Sequence, residues 1–127
     1  GTWVLHTDRA SARAATKLQE CGVKPILVQA TKDGRVSVRA ALRALGRADV
    51  RSLQVEGGGA LIGSYVRAQA WQRWFWFTAP RVLGDGAHAV EGVSWAQVCK
   101  TPGLAVERRR IVGDDALSVL APRRDGV

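Results

Sequence analysis

Glu56-Gly57-Gly58-Gly59 is the stretch whose residue types and spacing can do chemistry. A carboxylate closes an apolar run, Leu53 to Val55, that reads as a buried strand. Three glycines follow, and a helical pattern then opens at Ala60 and continues through Leu61, Ile62, Gly63 and Ser64. The first N–H groups of a helix have no partner inside it, and the helix dipole favours an anion there. Glycines let the backbone turn tightly and let a ligand come close. The arrangement suits a phosphate group. Because the glycines are adjacent, it is not the G-x-G-x-x-G dinucleotide fingerprint, and a plain tight turn between strand and helix is the alternative. Glu56 can accept hydrogen bonds from ligand hydroxyls or cap nearby N–H groups.

Other reactive residues form no recognisable set. His6 and His88 are far apart and have no partner cysteine motif, so no zinc site is expected. His6 falls at the end of a strand, where it can face a ligand or bond to the backbone. Asp114 and Asp115 are adjacent, which fits a turn better than an acid/base pair. Cys21 and Cys99 make neither a disulfide framework nor a metal site. Each sits in an apolar or helical pattern, so both are expected as packed thiols in a reducing cytoplasm. No catalytic residue is identified.

The elements that must position the glycine stretch follow from periodicity. The chain has 127 residues, enough for one domain with its own core. Thr2 to Thr7 reads as a strand, Asp8 as a helix N-cap, and Ala14, Leu18 and Cys21 as one apolar helical face stopped at Gly22. Pro25 to Gln29 is a second buried strand, and Asp33-Gly34 a turn. Val38, Ala41, Leu42 and Leu45 make Ser37 to Arg47 an amphipathic helix, with Arg35, Arg39, Arg43 and Arg47 as a stripe that reads as a solvated face, a phosphate contact being the alternative. Arg51 to Val55 is a third strand and Ala60 to Ala70 a third helix.

This alternation predicts an α/β fold with a mostly parallel sheet and flanking helices. In such sheets ligands bind beyond the carboxyl ends of the strands, here His6-Thr7, Ala30-Thr31 and Glu56-Gly57. Further on, Trp74 and Trp76 point to one face of a strand and Phe75 and Phe77 to the other. That predicts a strand covered on both sides, or a dimer interface. Ser94 to Val98 reads as a short helix. Val106 to Val112 and Leu117 to Ala121 read as an antiparallel hairpin joined by Gly113-Asp114-Asp115, and Arg123 to Val127 as a frayed tail.

The net charge of +8 suits an anionic partner. Its arginines are spread along the chain apart from Arg108-Arg109-Arg110 and Arg123-Arg124, with no aromatic-interleaved basic motif, which argues against nucleic acid. No apolar run approaches the roughly 20 residues that span a bilayer, and no secretory leader pattern opens the sequence.

The run Gly34 to Ala68, GRVSVRAALRALGRADVRSLQVEGGGALIGSYVRA, resembles the reductase domain of bacterial riboflavin biosynthesis. That domain is the carboxyl-terminal half of the bifunctional deaminase–reductase and has a dihydrofolate-reductase-like fold. Ala79-Pro80-Arg81-Val82-Leu83-Gly84 is similar to the family's APxxLG, Gly113-Asp114-Asp115 to its GDD, and Thr2 to Val28 to its strand–helix–strand lead-in.

The resemblance implies NADPH-dependent reduction of a ribosylamino side chain to ribitylamino on a phosphorylated pyrimidine. It implies that Glu56 contacts the ribose portion of the substrate. It also implies that Gly58, Gly59, Ala60, Leu61, Ile62, Gly63 and Ser64 line the cofactor, with the pyrophosphate at the helix N-terminus, and that the protein is a homodimer. Where many members carry an acidic pair, this chain has Gln72 and Arg73. The family's domain begins upstream of the matching region, so 1–127 is expected to be its carboxyl-terminal part. A non-catalytic relative acting as a nucleotide-binding or interaction module is the second expectation.

Overall fold

The computed structural model describes residues 1–100 and 103–123. It divides into two compact units, Gly1–Gln54 and Val55–Val127. The expected frayed tail lies, beyond Arg123, outside the described residues.

In the first unit, β1 (Trp3–His6) pairs in parallel with β2 (Lys24–Leu27), with Leu5 opposite Ile26. Between them runs α1 (Ala12–Glu20), capped by Ser11, whose hydroxyl accepts from the Ala14 N–H at 3.2 Å. The expected cap, Asp8, is displaced because a turn closes first, with Ala10 N–H donating to Thr7 O at 3.1 Å. The helix therefore starts one turn later. It ends at Gly22, whose φ of 73° closes a Schellman motif: Val23 N–H reaches Leu18 O and Gly22 N–H reaches Gln19 O, each at 2.9 Å.

Cys21 is the cap residue of that ending and is exposed, as is Cys99, the C-cap of a later helix. Neither is the packed thiol expected. A cap residue stands at the point where the chain leaves the helix, and the half-buried side of α1 is Ala15 and Leu18 rather than Ala14.

The expected turn at Asp33-Gly34 forms, and the buried Thr7 hydroxyl donates to Gly34 O at 3.4 Å, fastening the end of β1 to it. The second helix, α2 (Val38–Arg47), is capped by Ser37 and buries Ala40 and Ala41. Arg39, Arg43 and Arg47 lie on its exposed side, as the periodicity predicts. The core of this unit is Val28 with those two alanines.

The expected third strand, Arg51 to Val55, does not form: the segment is irregular and Leu53 is 45% exposed. A strand needs a ladder of partners for its backbone N–H and C=O groups, and no described strand pairs with this segment.

The second unit opens with α3 (Gly59–Ala68) and continues with β3 (Trp74–Thr78), the short helix α4 (Trp95–Val98), β4 (Leu104–Val112) and β5 (Asp115–Pro122). Its three-stranded sheet runs β3-β5-β4, antiparallel throughout. The β4–β5 hairpin is as expected, but its loop is only Gly113-Asp114, since Val112 already pairs with Asp115. Positive φ at Gly113 alone (61°) is the requirement of a II′ hairpin turn.

The fold is thus α/β with one parallel pair and an antiparallel sheet, not the mostly parallel sheet expected. Of the two readings of the aromatic strand, coverage on both sides is not met within the chain. As an edge strand, β3 has one neighbour, and Phe75 and Phe77 remain 58% and 56% exposed. Trp74 stacks edge-on against Trp71 and Trp76, with centroids 5.9 and 5.2 Å apart. The core of this unit is the inner face of β5, Leu117 and Val119. Among the described residues no helix is long and apolar enough to cross a membrane.

Leu117 is 3% exposed and Val82 fully exposed. Leu117→Ala is expected to cost about 2–5 kcal/mol in urea denaturation, whereas Val82→Ala stays within about 0.5 kcal/mol of the parent.

Candidate functional site

The N-terminus of α3 differs from those of the other three helices. Ser11, Ser37 and Ser94 each accept a hydrogen bond from the backbone of the helix that they start. Gly58, the N-cap of α3, has no side chain to do so. A side chain at Gly58 would enter open space, with nothing within 4 Å. Amides that a serine occupies in the other helices are left here for an anion to approach.

The remaining glycines serve packing. A Cβ on Gly57 would collide with the Leu61 side chain, which folds back over it. A Cβ on Gly59 would strike the His88 carbonyl oxygen and stand 3.0 Å from Glu91 Cγ. A Cβ on Gly63, which is buried, would strike the Glu91 carbonyl oxygen. The loop at 88–92 therefore lies directly on the backbone of α3, and Glu91 N–H donates to Gly59 O at 3.0 Å.

Gly58, Gly59 and Ala60 form the helix start. Glu56 is exposed and precedes the N-cap by two residues. Leu61 is 46% exposed and Ile62 half-buried. The Ser64 hydroxyl donates to Ala60 O and accepts from Arg67 Nη2, both at 2.9 Å. Tyr65, on the same helix, is partly buried, and that burial raises its phenol above the ordinary tyrosine range. His6 belongs to the first unit, where its Nδ1 lies 3.1 Å from Thr7 O. Asp114 and Asp115 belong to the hairpin rather than to a carboxylate pair.

Sequence reasoning missed the 88–92 loop and Arg67. A signal for them exists: Gly59, Gly63 and Arg67 recur at intervals of four, so they share one face of the helix, and two residues without side chains on one face allow another backbone to approach.

A comparison with known families returns a match over residues 1–115 to one described as the RibD C-terminal domain.

Two glycines test the close approach. A methyl group on Gly46 in α2 would meet nothing within 4 Å, so Gly46→Ala should gain up to about 1 kcal/mol from helix propensity. Gly63→Ala has the same propensity gain but drives a methyl into the Glu91 carbonyl, and the overpacking cost of about 1–3 kcal/mol makes it a net loss. Thermal unfolding of the two variants reads the opposite signs.

Tyr65 is the sole tyrosine, so tyrosinate absorbance reports it directly. Its titration midpoint should lie above the ordinary value of about 10. Because the folded phenol holds its proton longer than the unfolded one, its contribution to stability is present below about pH 10 and lost as the pH rises through the folded-state value.

Proposed function

The chain belongs to the RibD C-terminal domain family, the reductase domain of riboflavin biosynthesis, and from that premise we propose that it binds NADPH at the N-terminus of α3 and reduces the ribosylamino side chain of a phosphorylated pyrimidine. The observation that carries this reading is the bare N-cap at Gly58, which opens on space at the one helix start without a side-chain cap among α1 to α4.

The residues fit the group. The amides of Gly58, Gly59 and Ala60 would receive the pyrophosphate, aided by the dipole of α3. The net charge of +8 draws in a cofactor and a substrate that both carry phosphate. Glu56, exposed just ahead of the helix, would accept hydrogen bonds from ribose hydroxyls of the substrate. Ser64 and Leu61 would border the cofactor from the first two turns. When bound, the cofactor supplies the hydride. The chain supplies binding and orientation, which is the larger part of the protein's task in such a reaction.

Calorimetric titration of NADPH into the 127-residue chain and its Gly58→Asp variant tests the reading. The aspartate is itself a good N-cap, so the variant keeps its fold, but its carboxylate takes the place of the anion. The expected result is micromolar binding by the parent and loss of at least about tenfold in the variant, a difference of about 1.4 kcal/mol. Absence of binding by the parent would favour a non-catalytic relative instead.

A further inference from the structure

We infer that Arg67 is a positioning residue for the cofactor site: its guanidinium pins the 88–92 loop along α3, so that the loop closes one flank of the helix N-terminus and leaves the Gly58 side as the approach. The inference rests on the reading of Gly58 to Ser64 as that site.

The latch has two attachments. At the start of the helix, the Gly59 carbonyl accepts from Glu91 N–H at 3.0 Å. Two turns later, Arg67 Nη1 donates to the carbonyl of Gly92 and stands 3.3 Å from that of Glu91, while Nη2 donates to Ser64 Oγ. Between the two attachments the loop lies on Gly63, with no room for a Cβ. A planar fork of donors can hold two successive carbonyls and a hydroxyl at once, which a point-charge ammonium cannot.

What the latch places at the site is specific. It sets the His88 carbonyl and the Glu91 side chain against Gly59, the first residue of the helix, with Glu91 Oε1 3.1 Å from where a Cβ would be. Carbonyl and carboxylate oxygens repel phosphate and accept from hydroxyls. The side of Gly59 on which a Cβ would stand is therefore lined by oxygens and suited to sugar hydroxyls, which leaves a pyrophosphate to reach the amides of Gly58 to Ala60 from the open Gly58 side. The loop has no regular structure around this contact, and His88 and Glu91 are exposed, so its order depends on these few bonds.

The test measures NADPH affinity and amide hydrogen exchange on the full chain, as Arg67→Ala and Arg67→Lys. The expected result for Arg67→Ala is faster exchange confined to the 88–92 loop with NADPH binding weakened about tenfold, since the loop is no longer preorganised. Arg67→Lys should fall between Arg67→Ala and the parent, and serves alone if Arg67→Ala does not fold. Faster exchange with unchanged affinity, or unchanged exchange, overturns the inference while leaving the cofactor reading intact. No NADPH binding by the parent overturns both.

Discussion

The second unit depends on the absence of two side chains. At Gly59 and Gly63 the loop carrying His88 and Glu91 rests on helix backbone, and any Cβ at either position would collide with a carbonyl oxygen. Glycine inside a helix ordinarily costs about 1 kcal/mol relative to alanine. Here that cost is offset by a contact unavailable to any other residue, joined by the Glu91 to Gly59 hydrogen bond. The two glycines before the helix and the two within it thus divide their roles: Gly57 receives Leu61, Gly59 and Gly63 receive the loop, and Gly58 alone opens outward.

Helix capping sets α3 apart from α1, α2 and α4. Serine is the N-cap of α1, α2 and α4, and in α4 the cap is reciprocal, with Gln97 returning to the Ser94 backbone. Those helix starts are satisfied internally. The start of α3 has no side-chain cap, and nothing stands within 4 Å of where a Gly58 side chain would be. Helix ends are handled by left-handed residues instead: Gly22 after α1, Asp49 after α2 and Gln69 at the end of α3. Asp49 and Gln69 are non-glycine residues in that region, where a short or flexible polar side chain is tolerated better than a branched one.

Sheet formation shows where local pattern stops being informative. The aromatic run Trp74 to Phe77 reads as a strand covered on both sides or as a dimer interface; within the chain it lies at an edge, with one neighbour among the described strands. The run Arg51 to Val55 has a strand's composition and no partner among the described strands. The two segments share one lesson. Side-chain alternation reports which face of a strand is apolar, whereas pairing is decided by backbone groups on another segment. The hairpin was legible because its partner is adjacent in sequence and its turn needs a residue with positive φ, supplied by Gly113.

Local pattern was enough for the three longer helices, the β4–β5 hairpin and the family. Periodicity located α1, α2 and α3, Gly22 marked the end of α1 and the glycine run the start of α3, and the motif set around Glu56 to Gly59 with APxxLG and GDD identified the reductase domain that the match over residues 1–115 bears out. Strand pairing, the exposure of the cysteines at helix caps, and the place of Arg67 and the 88–92 loop beside the glycine helix emerge only from contacts distant in sequence. The physical reason is range. Helix propensity, capping and tight turns are settled within a few residues, but a guanidinium meeting a carbonyl 24 or 25 residues away, or a strand finding its neighbour, is settled by packing that no local window contains.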